Sequence, residues 1–218
     1  MIGIVVALNN EAKPVIDLIT NKKELFLCGK KIIKGKINGK KIVLIVSGIG
    51  KVNASFCTQI LIDKFNAKKI INYGTVGGLM EVTQVGDCYL IEKCCQYDFD
   101  LSDLDDVSVG YIQDYDRVYF TPNKPQNDFL QYRNLATSDK FTCKDCDIET
   151  VKNLNCQIFD MEGGAIAEVC TANDIPYYLI KGVVDVHGSV THKEQFINNL
   201  NTVCQNFSIV VAKLINHI

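Results

Sequence analysis

The sequence predicts an α/β fold in which buried strands alternate with helices. Short apolar runs recur through the chain, and between several of them apolar residues repeat at helical spacing. This alternation is typical of a sheet that is covered by helices. The sequence contains no internal repeat and no linker, so we predict a single domain over residues 1–218.

The first half of the chain carries five predicted strands and two predicted helices. We expect strands at residues 2–8, 25–34, 41–46, 69–73 and 85–92, and helices at residues 9–18 and 52–65. Asn38-Gly39 favours a hairpin turn ahead of the third strand. Pro14 falls in the early turns of the first helix, where proline is tolerated.

The second half begins with a long irregular stretch and then resumes the alternation. Residues 96–134 are acidic and aromatic with few apolar runs, which indicates a surface loop, a lid or a partner contact. Beyond it we expect strands at residues 134–138, 155–159 and 176–184. Helices are expected at residues 165–170 and 193–218, the second with apolar residues at helical spacing.

The composition is that of an ordinary globular protein and excludes several kinds of partner. With 47% hydrophobic residues, 22% charged residues and a net charge of −2, the chain has no basic surface for nucleic acid. No segment approaches the roughly 20 apolar residues of a membrane span. The chain opens on a strand pattern rather than a signal peptide. We therefore predict a cytoplasmic protein that binds neither nucleic acid nor membranes.

The ten cysteines do not predict a metal site. Most lie within apolar runs, where cysteine behaves as a small hydrophobic residue. Cys143 and Cys146 have the spacing of a zinc motif, but a second pair and a nearby histidine are missing from the sequence. We expect reduced thiols, no metal and no cofactor.

Three acidic residues each follow a predicted strand. Glu11 comes after the first strand, Glu162 after the strand at residues 155–159, and Asp185 after the strand at residues 176–184. One acid at a strand end is usually structural, and Glu11 and Glu162 taken alone are explained by the positive end of a helix. Because ligands bind outside the carboxyl ends of strands in open α/β sheets, we expect the three to meet in one cleft.

Two glycine-rich segments, residues 47–51 and 74–78, are predicted as turns at the same edge of the sheet. A cleft of carboxylates without a metal cluster suits the cleavage of a glycosidic bond. Carboxylates stabilise the cationic transition state, protonate the leaving group and activate water.

Five segments carry a resemblance to a known family. They are residues 2–11 (IGIVVALNNE), 47–52 (SGIGKV), 72–78 (NYGTVGG), 160–167 (DMEGGAIA) and 184–186 (VDV). In this order they resemble the 5′-methylthioadenosine/S-adenosylhomocysteine nucleosidases of the purine nucleoside phosphorylase superfamily. The resemblance implies a three-layer α/β/α domain with a central mixed, twisted sheet. It also implies a homodimer that releases adenine from a purine nucleoside.

The resemblance assigns roles to individual residues. It implies that Asp185 protonates purine N7, that Glu162 accepts hydrogen bonds from the ribose hydroxyls, and that Glu11 is the general base for water. The remaining implied contacts with the nucleoside come from Met161, Phe141, Thr75, Val76, Gly77, Ile49, Lys181 and Phe196. Phe141 would stack on the base, and Ile49 and Phe196 would touch the 5′ substituent. Residues 97–101 would complete a neighbour's site in the dimer.

Several differences bear on the reaction. Asn72 stands where phosphorylases of the superfamily carry a phosphate-binding arginine, and Asn9-Asn10 replaces their glycine-rich loop. Both differences favour water as the nucleophile. Lys181 replaces an arginine that is usual in nucleosidases, and Val184 replaces a serine. A purine nucleoside phosphorylase, an inactive nucleoside-binding protein and a flavodoxin-like signalling domain remain alternatives. His187 and His192 are not assigned to the site.

Overall fold

The computed structural model describes residues 1–104, 106–126, 129–142, 144–188 and 192–218. Its strands are β1 Ile2–Val6, β2 Thr20–Leu27, β3 Lys30–Ile37, β4 Lys40–Val46, β5 Lys69–Leu79, β6 Cys88–Gln96, β7 Gln131–Thr137, β8 Ile158–Asp160 and β9 Tyr177–His187. Its helices are α1 Asn9–Leu18, α2 Lys51–Phe65, α3 Asp145–Asn153, α4 Gly163–Ala172 and α5 His192–Asn216. A 3₁₀ turn covers Gln113–Tyr115.

The nine described strands join one mixed sheet in the order β2-β3-β4-β1-β5-β8-β7-β6-β9. β1 lies parallel to β4 and β5, and β5 lies parallel to β9. β9 also pairs with β6 in antiparallel orientation, so the last five strands in this order close into a ring. This arrangement brings the carboxyl end of β1 beside the middle of β5, and the carboxyl end of β4 lies next to that of β1.

Helices cover both faces of the sheet, which confirms the predicted three-layer α/β/α fold. Val5 of β1 belongs to the core that includes α2 and α4, whereas Ile4 and Val6 belong to the core that includes α1 and α5. This alternation is the period of two expected for a strand buried on both faces. No helix within the described ranges is long and apolar enough to cross a membrane.

The predicted single strand at residues 25–34 is wrong, because the chain reverses inside it. Cys28 and Gly29 have φ angles of +51° and +73° and form the turn between β2 and β3. Two successive positive φ values are the mark of a tight hairpin turn. The turn predicted at Asn38-Gly39 is confirmed, with φ angles of +50° and +78°.

The predicted turn at residues 74–78 is also wrong, because β5 continues through it to Leu79. Its glycines serve close packing instead of chain reversal. A Cβ atom at Gly77 would lie 2.1 Å from the Phe159 ring, and one at Gly78 would lie 2.2 Å from Thr83 Oγ1. Glycine therefore lets neighbouring side chains approach the backbone of β5.

β9 extends beyond the predicted strand and contains an irregularity beside the predicted acid. Its register against β5 shifts between Val76, which pairs with Val183, and Gly77, which pairs with Asp185. Val184 is therefore the extra residue of a bulge, a feature that re-aims side chains.

Sequence reasoning missed the short helix α3, which places Ile148 and Val151 in a small third core. Residues 96–134 are largely irregular as predicted. Apart from the last residue of β6 and the first residues of β7, their described part contains the 3₁₀ turn and isolated bridges.

We predict that Gly77→Ala lowers the free energy of unfolding by about 1–3 kcal/mol, because the new methyl group overlaps the Phe159 ring. Urea unfolding followed by circular dichroism measures the loss. Gly39→Ala is the comparison, since a Cβ there meets nothing within 4 Å and carries only the cost of a positive φ. A smaller loss for Gly77→Ala than for Gly39→Ala would contradict this packing role.

Candidate active site

One pocket of about 230 Å³ gathers ten of the eleven predicted site residues. They are Glu11, Ile49, Thr75, Val76, Gly77, Phe141, Met161, Glu162, Asp185 and Phe196. The three carboxylates predicted to meet therefore line one cavity. The prediction places Glu162 at the sheet edge that the carboxyl ends of the strands share. In the structure, however, the strand before it, β8, runs antiparallel to β5. Since β8 is short and pairs with Gly77 and Gly78, the residues after it still reach the pocket.

The carboxylate of Glu11 is buried and held in place at both oxygens. The backbone N–H and the hydroxyl of Thr75 each donate to its Oε1 at 2.8 Å, and Leu8 N–H donates to its Oε2 at 2.9 Å. Burial raises the pKa of Glu11, while these hydrogen bonds and the Lys181 ammonium oppose the rise. The outcome is an oriented acid whose pKa is shifted towards that of a general base.

The carboxylate of Glu162 lies where β8 gives way to α4. Gly50 N–H donates to its Oε1 at 2.9 Å. Burial and the neighbouring Asp160 carboxylate raise the pKa of Glu162 to about 7, against the lowering effect of Lys181 and the Gly50 hydrogen bond. Between its ordinary value and 7 the folded protein holds a proton that the unfolded chain releases, so this group lowers stability as the pH rises.

Asp185 comes from β9 and is 2% exposed. The bulge at Val184 explains how two successive residues of one strand, Val184 and Asp185, both line the pocket. In a regular strand these neighbours would point to opposite faces. The irregular pairing thus gives the pocket an apolar wall and an acid from the same segment.

Lys181 does not line the pocket but lies beneath it in a buried network. Its ammonium pairs with Asp160 Oδ2 at 2.7 Å and donates to Asn72 Oδ1 at 2.6 Å. Thr137 donates to Asp160 Oδ1 at 2.6 Å and Gly163 N–H donates to Oδ2 at 2.8 Å. The ion pair is therefore well supplied with hydrogen bonds, which a buried pair requires.

The position of Lys181 still places its charge close to the reacting groups. A Cβ atom at Gly74 would lie 3.4 Å from Glu11 Oε1 and 3.8 Å from Lys181 Nζ, so the two groups border the same small space. The resemblance implies a direct substrate contact for Lys181, but Lys181 is not among the residues that line the pocket, so we expect it to act through Glu11 and Glu162. From its position beneath the pocket, the Lys181 ammonium lowers the pKa values of both Glu11 and Glu162.

The other side of the pocket is apolar and partly open. Phe141 and Phe196 meet edge to face, with ring centroids 6.1 Å apart and planes at 87°. Ile49 and Phe141 are each 51% exposed, so the pocket opens between them. An apolar pocket with a few convergent polar groups is the usual form of a small-molecule site.

Sequence reasoning missed several lining residues, which are Ala7, Leu8, Lys140, Thr142, Phe159, Asp160 and Val184. Asp160 had a usable signal, since it is an acid that ends a buried strand two residues before Glu162. Lys140 and Thr142 flank Phe141 and could have been inferred from it. The signal for Leu8 was its place between the first strand and Glu11.

Sequence reasoning did not assign His187 to the site. His187 Nε2 lies 3.3 Å from Asp145 Oδ1 and does not line the pocket. Within the described ranges, His, Cys, Asp and Glu side chains form no group of three that could hold a metal ion. Cys143 lies outside the described residues, so its predicted lack of a metal role stays a prediction.

We predict that Lys181→Met lowers the free energy of unfolding by about 3–5 kcal/mol, because it leaves Asp160 buried without its cation. Adding Asp160→Asn to this variant should recover part of the loss. Urea unfolding at neutral pH measures both. Lys152→Met, which breaks an exposed pair with Glu81, is the control and should cost less than about 1 kcal/mol. Equal losses for the two lysine variants would contradict the buried-pair account.

Comparisons with known proteins identify the family of this chain. The profile of the phosphorylase superfamily matches residues 1–216. The 5′-methylthioadenosine/S-adenosylhomocysteine nucleosidase of Buchnera aphidicola subsp. Schizaphis graminum is 34% identical over 211 residues, covering 90% of this chain and 89% of the relative.

Two solved structures of nucleosidases with the same name are also similar. The Colwellia psychrerythraea protein in complex with adenine gives a TM-score of 0.90 at 26% identity, over 99% of this chain and 94% of that one. The S. pneumoniae protein with a transition-state inhibitor gives 0.89 at 25% identity, over 99% and 98%. The chain therefore belongs to the phosphorylase superfamily and, within it, to the 5′-methylthioadenosine/S-adenosylhomocysteine nucleosidase family.

Proposed function

We propose that this protein hydrolyses the N-glycosidic bond of 5′-methylthioadenosine and S-adenosylhomocysteine-type nucleosides and releases adenine. The observation that carries the proposal is the convergence of Glu11, Glu162 and Asp185 on one partly apolar pocket. Cleavage at C1′ builds positive charge on the ribose ring. Carboxylates can stabilise this charge, protonate the leaving group and activate water.

Asp185 is proposed as the acid for the leaving group. As the C1′–N9 bond breaks, its electron pair moves into the purine, and Asp185 donates a proton to N7. This protonation turns an unstable purine anion into neutral adenine. Positioned acids of this kind contribute about 10²–10⁴-fold to rate. The buried position of Asp185 supports the role, since bulk water is excluded there.

Glu162 is proposed to bind the ribose. One of its oxygens already accepts from Gly50 N–H at 2.9 Å. Ionised Glu162 has lone pairs for the 2′- and 3′-hydroxyls, and its negative charge favours the cationic ring of the transition state. Met161 lines the pocket beside it and supplies apolar contact with the nucleoside.

Glu11 is proposed as the general base. Thr75 fixes its carboxylate beside the middle of β5, and Gly74 leaves space next to Oε1. The attacking water gives its proton to Glu11 while its oxygen forms the new bond to C1′. The raised pKa of Glu11 supports this role, because a base works best when its pKa lies nearer the working pH.

The apolar side is proposed to hold the base and the 5′ substituent. Phe141 would stack on adenine, while Ile49 and Phe196 would contact the thioether group. Val76 and Gly77 would pack along the nucleoside from β5. Support comes from the edge-to-face pair of Phe141 and Phe196 at the opening of the pocket.

Water rather than phosphate is proposed as the nucleophile. Asn72, at the position of the phosphate-binding arginine in phosphorylases, is 2% exposed and accepts from Lys181. Its amide also donates to Val5 O at 3.1 Å. Residues 9–11 after β1 are the start of α1 rather than a phosphate loop. Both features support hydrolysis.

We also propose that the protein is a cytoplasmic homodimer. Apolar side chains on one end of α2 favour a partner surface, since Val52 is 79% exposed and Phe56 is 44% exposed. The nine cysteines that the structure describes carry free thiols, which suits a reducing compartment. Sedimentation equilibrium tests the dimer, and a monomer at micromolar concentration would refute it.

The activity is tested by measuring adenine release from 5′-methylthioadenosine with and without inorganic phosphate. Release that is independent of phosphate, with free methylthioribose as the second product, is the expected result. Release that requires phosphate would establish the alternative, a purine nucleoside phosphorylase. Tight binding of the nucleoside without turnover would establish a binding protein instead.

We predict that Asp185→Asn lowers kcat by at least about 10²-fold, because the amide cannot protonate N7. Steady-state kinetics on 5′-methylthioadenosine measures the loss, and thermal unfolding checks that the fold is retained. Asp17→Asn, a change of an exposed acid on α1, is the matched control. Near-full activity of Asp185→Asn would remove this residue from the mechanism.

We predict that KM for 5′-methylthioadenosine rises as the pH falls from 8 to 6. Glu162 becomes protonated below its raised pKa of about 7 and then loses acceptor capacity for the ribose hydroxyls. Glu162→Gln should have a higher KM with a flatter pH dependence over this range. An unchanged pH dependence in that variant would show that another group titrates.

A further inference from the structure

Three polar residues outside the pocket lining join the loops that surround its opening. They are Lys51 at the start of α2, Asp98 after β6 and Asp139 after β7, and we call them the clasp. Lys51 Nζ pairs with Asp98 Oδ1 at 2.7 Å, Asp139 N–H donates to Asp98 Oδ2 at 2.9 Å, and Lys51 N–H donates to Asp139 Oδ1 at 2.8 Å. The three contacts form a closed ring.

The clasp is more deeply buried than the exposed ion pair of Lys124 and Glu92. The Lys51 and Asp98 side chains are 18% and 15% exposed, whereas those of Lys124 and Glu92 are 52% and 37% exposed. Both oxygens of Asp98 are used, one by an ammonium and one by a backbone N–H. Charge-assisted hydrogen bonds in such a setting are stronger and more directional than a solvated surface pair.

The helix start within the clasp also holds the ribose-binding acid. Two successive backbone N–H groups at the N-terminus of α2 bind different acidic residues. Gly50 N–H donates to Glu162, and Lys51 N–H donates to Asp139. Both acceptors are carboxyl oxygens at the positive end of a helix. Gly50 has a φ of +98°, and a Cβ there would lie 3.0 Å from Asp139 Oδ1, so glycine permits the close approach.

The segment held by Asp139 carries the aromatic side of the pocket. Lys140, Phe141 and Thr142 follow Asp139 directly and line the pocket. This segment is also tied to the strand end before Asp98, because Ser138 Oγ donates to Tyr97 Oη at 2.8 Å and Thr142 Oγ1 lies 2.5 Å from the same oxygen. Phe141 thus lies in a segment that is anchored on both sides, at Asp139 and at Thr142.

We infer that the clasp is a positioning device that fixes Phe141 relative to Glu162, and that Lys51, Asp98 and Asp139 act on substrate through these two residues. The kinetic consequence rests on the nucleosidase activity proposed above. Because the clasp preorganises binding and touches no reacting atom, its loss should raise KM and leave kcat nearly unchanged.

A fluorescent reporter tests the position of Phe141 without any need for activity. The chain contains no tryptophan, so Phe141→Trp introduces a single indole. In this background Lys51→Met should shift the emission to longer wavelength and raise acrylamide quenching, because the ring is released to solvent. Lys124→Met, which breaks the exposed pair with Glu92, is the matched control and should change neither signal.

Steady-state kinetics in the background with Phe141 intact supplies the second readout. Lys51→Met and Asp98→Asn should each raise KM for 5′-methylthioadenosine by about tenfold with less than about a twofold change in kcat. Lys51→Arg, which keeps the charge, should restore KM to within about twofold of the unmodified protein.

The two readouts separate failure of the clasp from failure of the proposed function. An indole signal that is the same in Lys51→Met and Lys124→Met would overturn the clasp, whatever the kinetics. Equal losses of kcat and kcat/KM would also overturn it, since they indicate a role in the chemical step. If the protein turns over no nucleoside, a changed indole signal still supports the positioning role.

Discussion

The buried ion pair between Lys181 and Asp160 is the interaction on which the site depends. Of the lysines and arginines that the structure describes, Lys181 alone is fully buried, and it lies beneath a pocket lined by four acids. Burying carboxylates is costly unless a cation or hydrogen bonds compensate. Lys181 supplies that compensation to Glu11 and Glu162 without occupying the pocket, which leaves the cavity for a nucleoside.

The topology explains why the cation and the acids meet at this place. β9 pairs with β5 on one side and β6 on the other, so it is hydrogen-bonded along both edges within the closed ring of strands. Lys181 sits in its regular part, and Asp185 follows the bulge at Val184. The same strand therefore contributes a charge below the pocket and an acid within it.

Much of the candidate site was predictable because its acids follow predicted strands, although Asp185 lies inside β9, which extends to His187. The combination of Glu11, Glu162 and Asp185 at three strand ends with two glycine-rich segments predicts a shared cleft, and the resemblance to the nucleosidases supplies their roles and their neighbours. The depth of Lys181 was not predictable, because strand alternation gives the face of a residue but not the partners beneath it. Its pairing with Asp160 depends on where β8 lies in the sheet, antiparallel to β5 and parallel to β7, and the sequence predicts the strand but not these neighbours.

The errors in the fold have related causes. The glycines at residues 74–78 were interpreted as a turn, but Gly77 and Gly78 are required by the side chains of Phe159 and Thr83, which are distant in sequence. The turn at Cys28-Gly29 was missed because cysteine is an uncommon residue at positive φ. Tertiary packing determines the conformation at residues 74–78, and an unusual backbone conformation forms the turn at Cys28-Gly29. Hydrophobic periodicity reveals neither of them.

The central claim is that the three carboxylates act on different parts of one bound nucleoside. A crystal structure of the Asp185→Asn variant with 5′-methylthioadenosine tests it most directly. The account predicts purine N7 beside residue 185, both ribose hydroxyls on Glu162, and a water between Glu11 and C1′. A nucleoside bound in the reverse orientation, with its ribose away from Glu162, would contradict the account.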